Sequence, residues 1–392
     1  MSRRPRCSFR AAPVPGSRKQ LLVGAVALLL ATSIHEPARA ADPVRSSAAT
    51  DVLAQKGLSR LKPWTTSIPW VFADEAKIHE TLDGFRTAEA ADHAAAKRVK
   101  EEAAATARDR DVLSKAEKRY QELTAYKAKP DTVPRPMRAR FRSAEQMLAA
   151  INNDLDTQAD TINRLRPRLT GGKAGGIPAS LKKAIADWME SRNNLILADL
   201  AAEPDFNNLA KRYQELGDDS DVAAALKSLG KNHRLGSKDF EQDKKAMAAA
   251  AAIIQSGEVP MYREGLYDYV GAILNETAPI VLRIDSVDAQ SANWAPAELL
   301  TKAGISVEDS APKVTLTLNG KRTIQCRQVM VPQLRLGKHV LTNLPFLAMP
   351  DGAKDLGAQL IVKEFKDYDM TPDLEKWIFT LIKKEEPKAS GE

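Results

Sequence analysis

The residues most able to do chemistry lie in the stretch VLRIDSVDAQSANW, residues 281–294, where an apolar run ends on Asp285. Ser286 follows directly, and a second acid, Asp288, lies just beyond. A carboxylate at the end of a strand can accept a proton from water and later return it. Two carboxylates at close range do this by sharing one proton, because both cannot ionise together. The pattern indicates a candidate hydrolytic site at Asp285.

Other kinds of chemistry find little support in the sequence. The GGKAGG segment, residues 171–176, lacks the Lys-Ser/Thr ending of a phosphate-binding loop. The histidines show no ligand spacing and are scattered at His35, His79, His93, His233 and His339. Cys326 is the single cysteine beyond residue 40, and we expect it to be a small buried hydrophobic residue. We therefore predict neither a metal nor a cofactor.

The N-terminal segment carries most of the net charge. The formal charge of the 392 residues is +7, and residues 1–40 contain seven Arg/Lys and one Glu. This basic stretch, the apolar run at residues 21–33 and the small-x-small pattern Ala38-Arg39-Ala40 predict a signal peptide at residues 1–40. An uncleaved anchor is the alternative, although the run is short for a membrane span. We expect an exported protein, periplasmic or secreted, with no further membrane span.

A nearly neutral chain follows the signal segment, because residues 41–392 carry a formal charge of only +1. We therefore do not expect nucleic-acid binding. Residues 41–73 form a polar, Pro-containing lead, and residues 74–257 are rich in good helix formers, with breaks at 129–136 and 171–178. We predict later helices at about residues 180–216, 221–229 and 239–256.

One of these helices has a coiled-coil pattern. Ser143 and Gln146 have the spacing of a capping box, so we expect the helix to begin at Ser143. A seven-residue apolar repeat follows at Leu148, Ile151, Leu155, Ile162, Leu165 and Leu169. Such a repeat predicts a helical hairpin or coiled-coil seam.

The composition changes near Pro260 to β-branched, alternating segments. We predict a mainly-β domain at residues 261–383, followed by a charged tail at 384–392. Strands are expected at 279–284, 313–331 and 339–349, and Asn319-Gly320 is a strong hairpin signal. The fold class is therefore α+β multidomain, with an α-helical, coiled-coil-like region before a β domain.

These motifs occur in the order of the retropepsin-like aspartic peptidase family. The chain resembles the exported bacterial form, in which one such domain follows a helical region. Asp285-Ser286 stands where the family has Asp-Thr/Ser-Gly, residues 296–305 resemble the helix ending in Gly-Ile, and Asn319 and Gly320 match the flap hairpin. The resemblance covers about half the chain. It implies an acid-protease β-barrel, a homodimer with one catalytic aspartate from each copy, and a loop-bracing role for Ser286.

The candidate active-site loop departs from the family pattern. Val287 replaces the motif glycine and puts a β-branched side chain where two loops must meet. The loop is about two residues longer than the family spacing, and aligning Asp288 instead loses both the hydroxyl and the glycine. Arg283 lies on the same side of the strand as Asp285, where its charge would oppose a proton-sharing pair of aspartates.

Three functions remain open at this stage. The leading hypothesis is an exported pseudo-peptidase whose β domain serves as a dimerisation or peptide-binding module, with the helical region as a possible partner surface. The first alternative is an active aspartic endopeptidase that uses Asp285 of each protomer, or Asp288. The second alternative is a coiled-coil structural protein of the cell envelope.

Overall fold

The chain folds into a helical region followed by a β-rich domain, as the sequence predicts. The computed structural model describes residues 43–62, 67–170, 176–285, 292–318 and 322–384. The helices are α1 (Pro43–Gln55), α2 (Glu75–Ala128), α3 (Arg135–Arg138), α4 (Ala144–Thr170), α5 (Ala179–Gly217), α6 (Ser220–Leu229), α7 (Lys238–Gln255) and α8 (Ala297–Lys302). The predicted signal peptide lies outside the described residues, as does the charged tail beyond residue 384.

Thirteen strands are described, in two sheets. Three short strands in the helical region are β1 (Leu58–Arg60), β2 (Ile68–Phe72) and β3 (His233–Leu235). The β domain contains β4 (Glu258–Glu264), β5 (Tyr267–Leu274), β6 (Ala278–Asp285), β7 (Trp294–Pro296), β8 (Lys313–Leu318), β9 (Arg322–Leu336), β10 (His339–Met349), β11 (Ala358–Ile361), β12 (Tyr368–Asp373) and β13 (Ile378–Lys383).

The large sheet curls around the core of the β domain. Its strand order is β12-β13-β4-β5-β6-β11-β7-β10-β9-β8, and the ends of β5 and β9 also pair, at Leu274 and Leu334. Apolar side chains such as Val270, Leu282 and Phe346 fill the interior. The sheet does not close all its strands into one barrel, and this curled form is compatible with the predicted acid-protease β-barrel domain.

Alternation along β6 decides which side chains face outward. Leu282 and Ile284 are buried in the core, while Arg283 and Asp285 are half-buried on the opposite side. Successive side chains of a strand point to opposite faces of the sheet. The charged residues of this strand therefore share its outer face, as the sequence predicts.

A single long helix organises the helical region. α2 packs against both α5 and α4; its first half pairs with α5 through Arg98 and Asp187, and its second half pairs with α4 through Arg119 and Asp154. The end of α4, at Leu169, and the start of α5, at Ser180, both meet α2 near Thr106. α4 and α5 therefore lie end to end along α2.

The predicted capping residue and most of the heptad seam of α4 are confirmed. Ser143 Oγ accepts a hydrogen bond from the backbone N–H of Gln146 at 3.2 Å. The Gln146 side chain accepts from the N–H of Arg142, one residue earlier than a capping box requires. Met147 is the buried residue of the first turn, and Leu148 is only half-buried. The other predicted seam positions, Ile151, Leu155, Ile162, Leu165 and Leu169, are buried.

The helical region and the β domain are joined by buried polar contacts. Arg192 of α5 donates to both carboxylate oxygens of Asp92 in α2, at 2.9 and 3.1 Å, and also to the backbone oxygen of Glu258. Asn193 Nδ2 donates to the backbone oxygen of Ala272 at 3.0 Å. α5 thus lies on the outer face of β5, bonded to both parts of the chain.

The lead before α2 contains more structure than its composition suggests. Helix α1 and strands β1 and β2 contribute Leu53, Leu58 and Trp70 to the core of the helical region. These elements are too short to show a clear apolar period in the sequence. Within the described ranges, no helix is both long enough and apolar enough to cross a membrane.

Candidate functional site

The topology places Asp285 at the end of a strand whose neighbour in the sheet comes from a later part of the chain. Strand β11 pairs parallel with β6, with Ile361 opposite Asp285, and it also pairs with β7 through Gln359 and Trp294. β6 and β7 are consecutive along the chain, yet β11 lies between them. β11 therefore separates the end of β6, at Asp285, from the start of β7.

Several predicted site residues lie outside the described residues. These are Ser286, Val287, Asp288, Asn319 and Gly320. The predicted hairpin itself is confirmed, because β8 and β9 pair antiparallel up to Leu318 and Arg322. The structure thus describes Asp285 and the two strands of the hairpin, but neither the loop after Asp285 nor the hairpin tip.

Arg283 is held in place on the outer face that it shares with Asp285. Its Nε donates to Gln359 Oε1 at 2.9 Å, and Nη2 donates to the same oxygen. The guanidinium carbon lies 4.5 Å from the ring centroid of Tyr267 and 5.4 Å from that of Trp294. Stacking of this kind is favourable for a guanidinium, which is flat and weakly hydrated. We call Arg283, Gln359, Tyr267 and Trp294 the guanidinium clamp.

The charge of Arg283 also acts on a neighbouring phenol. Tyr269 is the register partner of Arg283 on β5. Burial raises the pKa of Tyr269, and the positive charge of Arg283 works against that rise. The outer face next to Asp285 is therefore an aromatic surface with a fixed positive charge.

A buried asparagine, Asn293, fixes the start of β7. Asn293 Nδ2 donates to the backbone oxygen of Pro345 at 3.0 Å and to Glu364 Oε1 at 3.1 Å. Its Oδ1 accepts from the backbone N–H of Ile361 at 3.0 Å. Because buried polar groups are costly unless they are bonded, this fully used amide fixes β7, β10 and β11 relative to one another.

Sequence reasoning missed Asn293 and Gln359. Their only signal is that a polar side chain stands beside apolar residues in a short strand segment, as in Asn293-Trp294 and Ala358-Gln359-Leu360. Both amides are almost fully buried, at 2% and 0% exposure. Their roles depend on a pairing between strands about 65 residues apart, which no local pattern reveals.

A groove opens next to this network. Its volume is about 330 Å³. Its walls come from β8 and β9 of the hairpin, from β10, from the residues just before β7, and from the end of β11 and the segment after it; they include Ala292, Val314, Gln328, Phe346, Ile361 and Glu364. A mostly apolar groove with a few polar groups is typical of a ligand site.

Cys326 behaves as a small hydrophobic residue. It is buried among Trp294, Leu347 and Met349, and its Sγ lies 3.4 Å from Met349 Sδ. Burial raises the pKa of the thiol, which makes the reactive thiolate scarcer. Among the residues that the structure describes, no group of three or more His, Cys, Asp or Glu side chains is arranged to hold a metal ion.

An aspartate at the end of β6, a strand inserted between β6 and β7, and a hairpin that lines the adjacent groove are consistent with a β domain of the acid-protease class. Residues 275–360 match the family model described as Aspartyl protease. This stretch contains Asp285, the hairpin and all of β11 except Ile361, and the match supports a retropepsin-like aspartic protease domain in this part of the chain. Comparisons with curated proteins and with solved structures gave no match.

Proposed function

We propose that this protein is exported and that its retropepsin-like domain binds peptide or protein segments without cleaving them. The observation that carries the proposal is the guanidinium clamp. In the family mechanism a second aspartate must approach the first on its open side. A fixed guanidinium between two aromatic rings on the same face as Asp285 supports binding of an acidic group there instead.

The groove supplies the second part of the proposed binding surface. It is lined by Ile361, the register partner of Asp285, and by Val314 and Gln328 of the hairpin strands. An extended peptide could lie in this groove and place an acidic side chain near Arg283. The proposal also includes pairing of two copies through the β domain, as the family resemblance implies, and a partner-binding role for the helical region.

An active aspartic endopeptidase is the second candidate function. The position of Asp285 favours it, because the residue stands at the carboxyl end of β6, opposite Ile361 and beside the groove. In that case Asp285 of each protomer would activate the water, with Asp288 as the alternative residue. Replacement of the motif glycine by Val287 and the lengthened loop argue against this candidate.

Peptide binding can be tested with the full chain and labelled decapeptides that differ only in Glu or Gln at one position. We expect the Glu peptides to bind more tightly, and Arg283→Gln to remove this preference with a loss of about tenfold in affinity. Arg327→Gln is the matched control, because Arg327 lies on β9 and pairs with Asp309. Equal binding of Glu and Gln peptides by the unmodified chain, or an equal loss in both variants, would contradict the proposal.

A further inference from the structure

The second half of α2 and all of α4 form an arm. Beyond Thr106, α2 leaves α5 and packs with α4, and the two helices are linked by ion pairs such as Arg119–Asp154 and Arg166–Glu117. At 1.5 Å per residue, the 107–128 segment of α2 is about 33 Å long. The arm begins where α5 starts, close to the contact of Lys182 with Glu264 of the β domain. Its far end is therefore remote, along α2, from this contact with the β domain.

The end of the arm is strongly basic. Residues 127–142 contain one acid, Asp131, and six basic residues, Lys127, Lys129, Arg135, Arg138, Arg140 and Arg142. We call these six side chains the basic tip. The tip segment has a formal charge of +5, whereas residues 41–392 as a whole carry +1, so the remainder sums to −4. After the signal segment, the net positive charge is thus concentrated at the end of the arm, and the rest of residues 41–392 is net negative.

The six basic side chains are exposed, and within the described part of the chain none of them forms an ion pair. Other basic residues of the arm differ, since Arg119, Arg166 and Arg168 each pair with an acid across the two helices. Unpaired like charges this close repel one another. An anionic partner would relieve this repulsion by supplying the negative charges that the six basic side chains lack.

The tip is held in shape by a small core of its own. Val133 is buried against Leu123, Met147, Ile151 and Leu155, with Tyr126, Met137 and Phe141 packed against them. A short 3-10 helix at Pro130–Thr132 and the four-residue α3 join the two long helices. The charges therefore stand on a compact, convex turn with defined geometry.

We propose that the basic tip docks on an anionic membrane surface through its electrostatic attraction to lipid headgroups. Clusters of four to eight Lys/Arg residues next to a bilayer are attracted to anionic lipids. None of the exposed large hydrophobic side chains in the described structure lies between residues 127 and 142, so docking needs no insertion into the bilayer. Nucleic acid fits less well, because Tyr126 and Phe141 are used in the tip core and do not offer free rings for base stacking.

The test uses the chain from residue 41, which contains every helix, strand and core cluster described above and lacks the apolar run that would itself enter bilayers. Binding to vesicles of phosphatidylglycerol and phosphatidylcholine, or of phosphatidylcholine alone, is measured by sedimentation. We expect binding to the anionic vesicles only, and its loss at about 0.5 M salt, where charge screening is strong. Equal binding to both vesicle types would overturn the proposal.

Two triple variants separate the tip from net charge. Arg138→Gln/Arg140→Gln/Arg142→Gln should weaken vesicle binding by about tenfold or more, and the corresponding Arg→Lys variant should retain it. The control Lys100→Gln/Arg110→Gln/Lys118→Gln removes the same charge from exposed α2 residues away from the tip and should change binding little. Equal losses in the tip variant and the control would overturn the proposal. So would tighter binding of a DNA duplex than of vesicles at the same salt, lost in the tip variant.

Discussion

Arg283 Nε lies 2.9 Å from Gln359 Oε1, across the parallel pair of β6 and β11 and two residues before Asp285. Gln359 is fully buried, and its Nε2 also reaches the backbone oxygen of Ala292 at 3.4 Å, where β7 approaches. One amide thus connects the strand before the candidate active-site loop with the residue that follows it. The guanidinium of Arg283 depends on this amide for its position.

The first prediction is a coupling between these two residues. Gln359→Leu should lower the free energy of unfolding by about 1–3 kcal/mol, because the Arg283 guanidinium loses its acceptor in a half-buried place. The double variant Arg283→Leu/Gln359→Leu should lose less free energy of unfolding than the two single variants lose together, since both polar partners are then absent. Chemical denaturation measures this, with Gln325→Leu on the exposed side of β9 as the control. Strict additivity of the two changes would show that the clamp does not act as a unit.

The second prediction concerns the Arg192–Asp92 pair between α2 and α5. The two side chains are 8% and 1% exposed. Asp92→Asn therefore leaves the buried Arg192 guanidinium without the negative charge that balances it. We expect a loss of about 3–5 kcal/mol in the free energy of unfolding. The matched control is Asp111→Asn, which breaks the exposed pair with Lys115 and should cost less than about 0.5 kcal/mol. Similar losses in the two variants would contradict the expected importance of burial.

A third prediction arises from the close contact of α5 with β5. A methyl group on Gly271 would lie 3.1 Å from Met189 Cβ and 3.3 Å from Asn193 Nδ2. Gly271→Ala should therefore push the helix away from the strand and cost about 1–3 kcal/mol. Gly352→Ala is the control, since a methyl group there has no neighbour within 4 Å. Thermal unfolding of the two variants distinguishes them, and an unchanged melting temperature for Gly271→Ala would argue against tight packing at this joint.

A histidine between two buried acids provides the fourth prediction. His79 Nδ1 lies 2.6 Å from Asp243 Oδ2, and Nε2 lies 3.2 Å from Glu75 Oε1. The hydrogen bond with Glu75 raises the pKa of His79 most, burial opposes this, and Asp243 adds to the rise. Arg86 also pairs with Asp243, and Tyr213 donates to Glu75. Protonation of the His79 imidazole therefore strengthens a cluster that links α2, α5 and α7.

The sign of the pH dependence follows from the direction of that shift. Because the pKa of His79 is raised above its ordinary 6.5 in the folded chain, protonation stabilises the fold fully below pH 6.5. The contribution is lost as the pH rises through the folded pKa. The stability difference between the unmodified chain and His79→Ala should thus be largest below pH 6.5 and shrink at alkaline pH. His93→Ala, on the exposed side of the same helix, is the control, and a difference that grows with pH would contradict the assignment.

Local patterns predicted most of the elements around the site. The Asn319-Gly320 signal identified the β8–β9 hairpin, and helices predicted at 180–216, 221–229 and 239–256 are observed as α5, α6 and α7. The outward position of Arg283 beside Asp285 followed from strand alternation alone. These features depend on neighbours in the sequence, so local patterns are sufficient to predict them.

The contacts of the site could not be predicted in the same way. That Arg283 would meet Gln359, and that Asn293 would bond Ile361 and Glu364, depends on the insertion of β11 between β6 and β7. The basic tip was also missed, because six positive charges over residues 127–142 disappear in a nearly neutral total. Their concentration at one end becomes evident only when α2 and α4 are seen to form an arm.

The central claim is that the retropepsin-like domain binds without cleaving. The most direct test is a peptidase assay of the full chain on a mixed peptide library from about pH 3 to pH 8, next to Asp285→Asn. The account predicts no cleavage by the unmodified chain above the level of Asp285→Asn at any pH. Cleavage at acidic pH that Asp285→Asn abolishes would contradict it and establish an active aspartic endopeptidase.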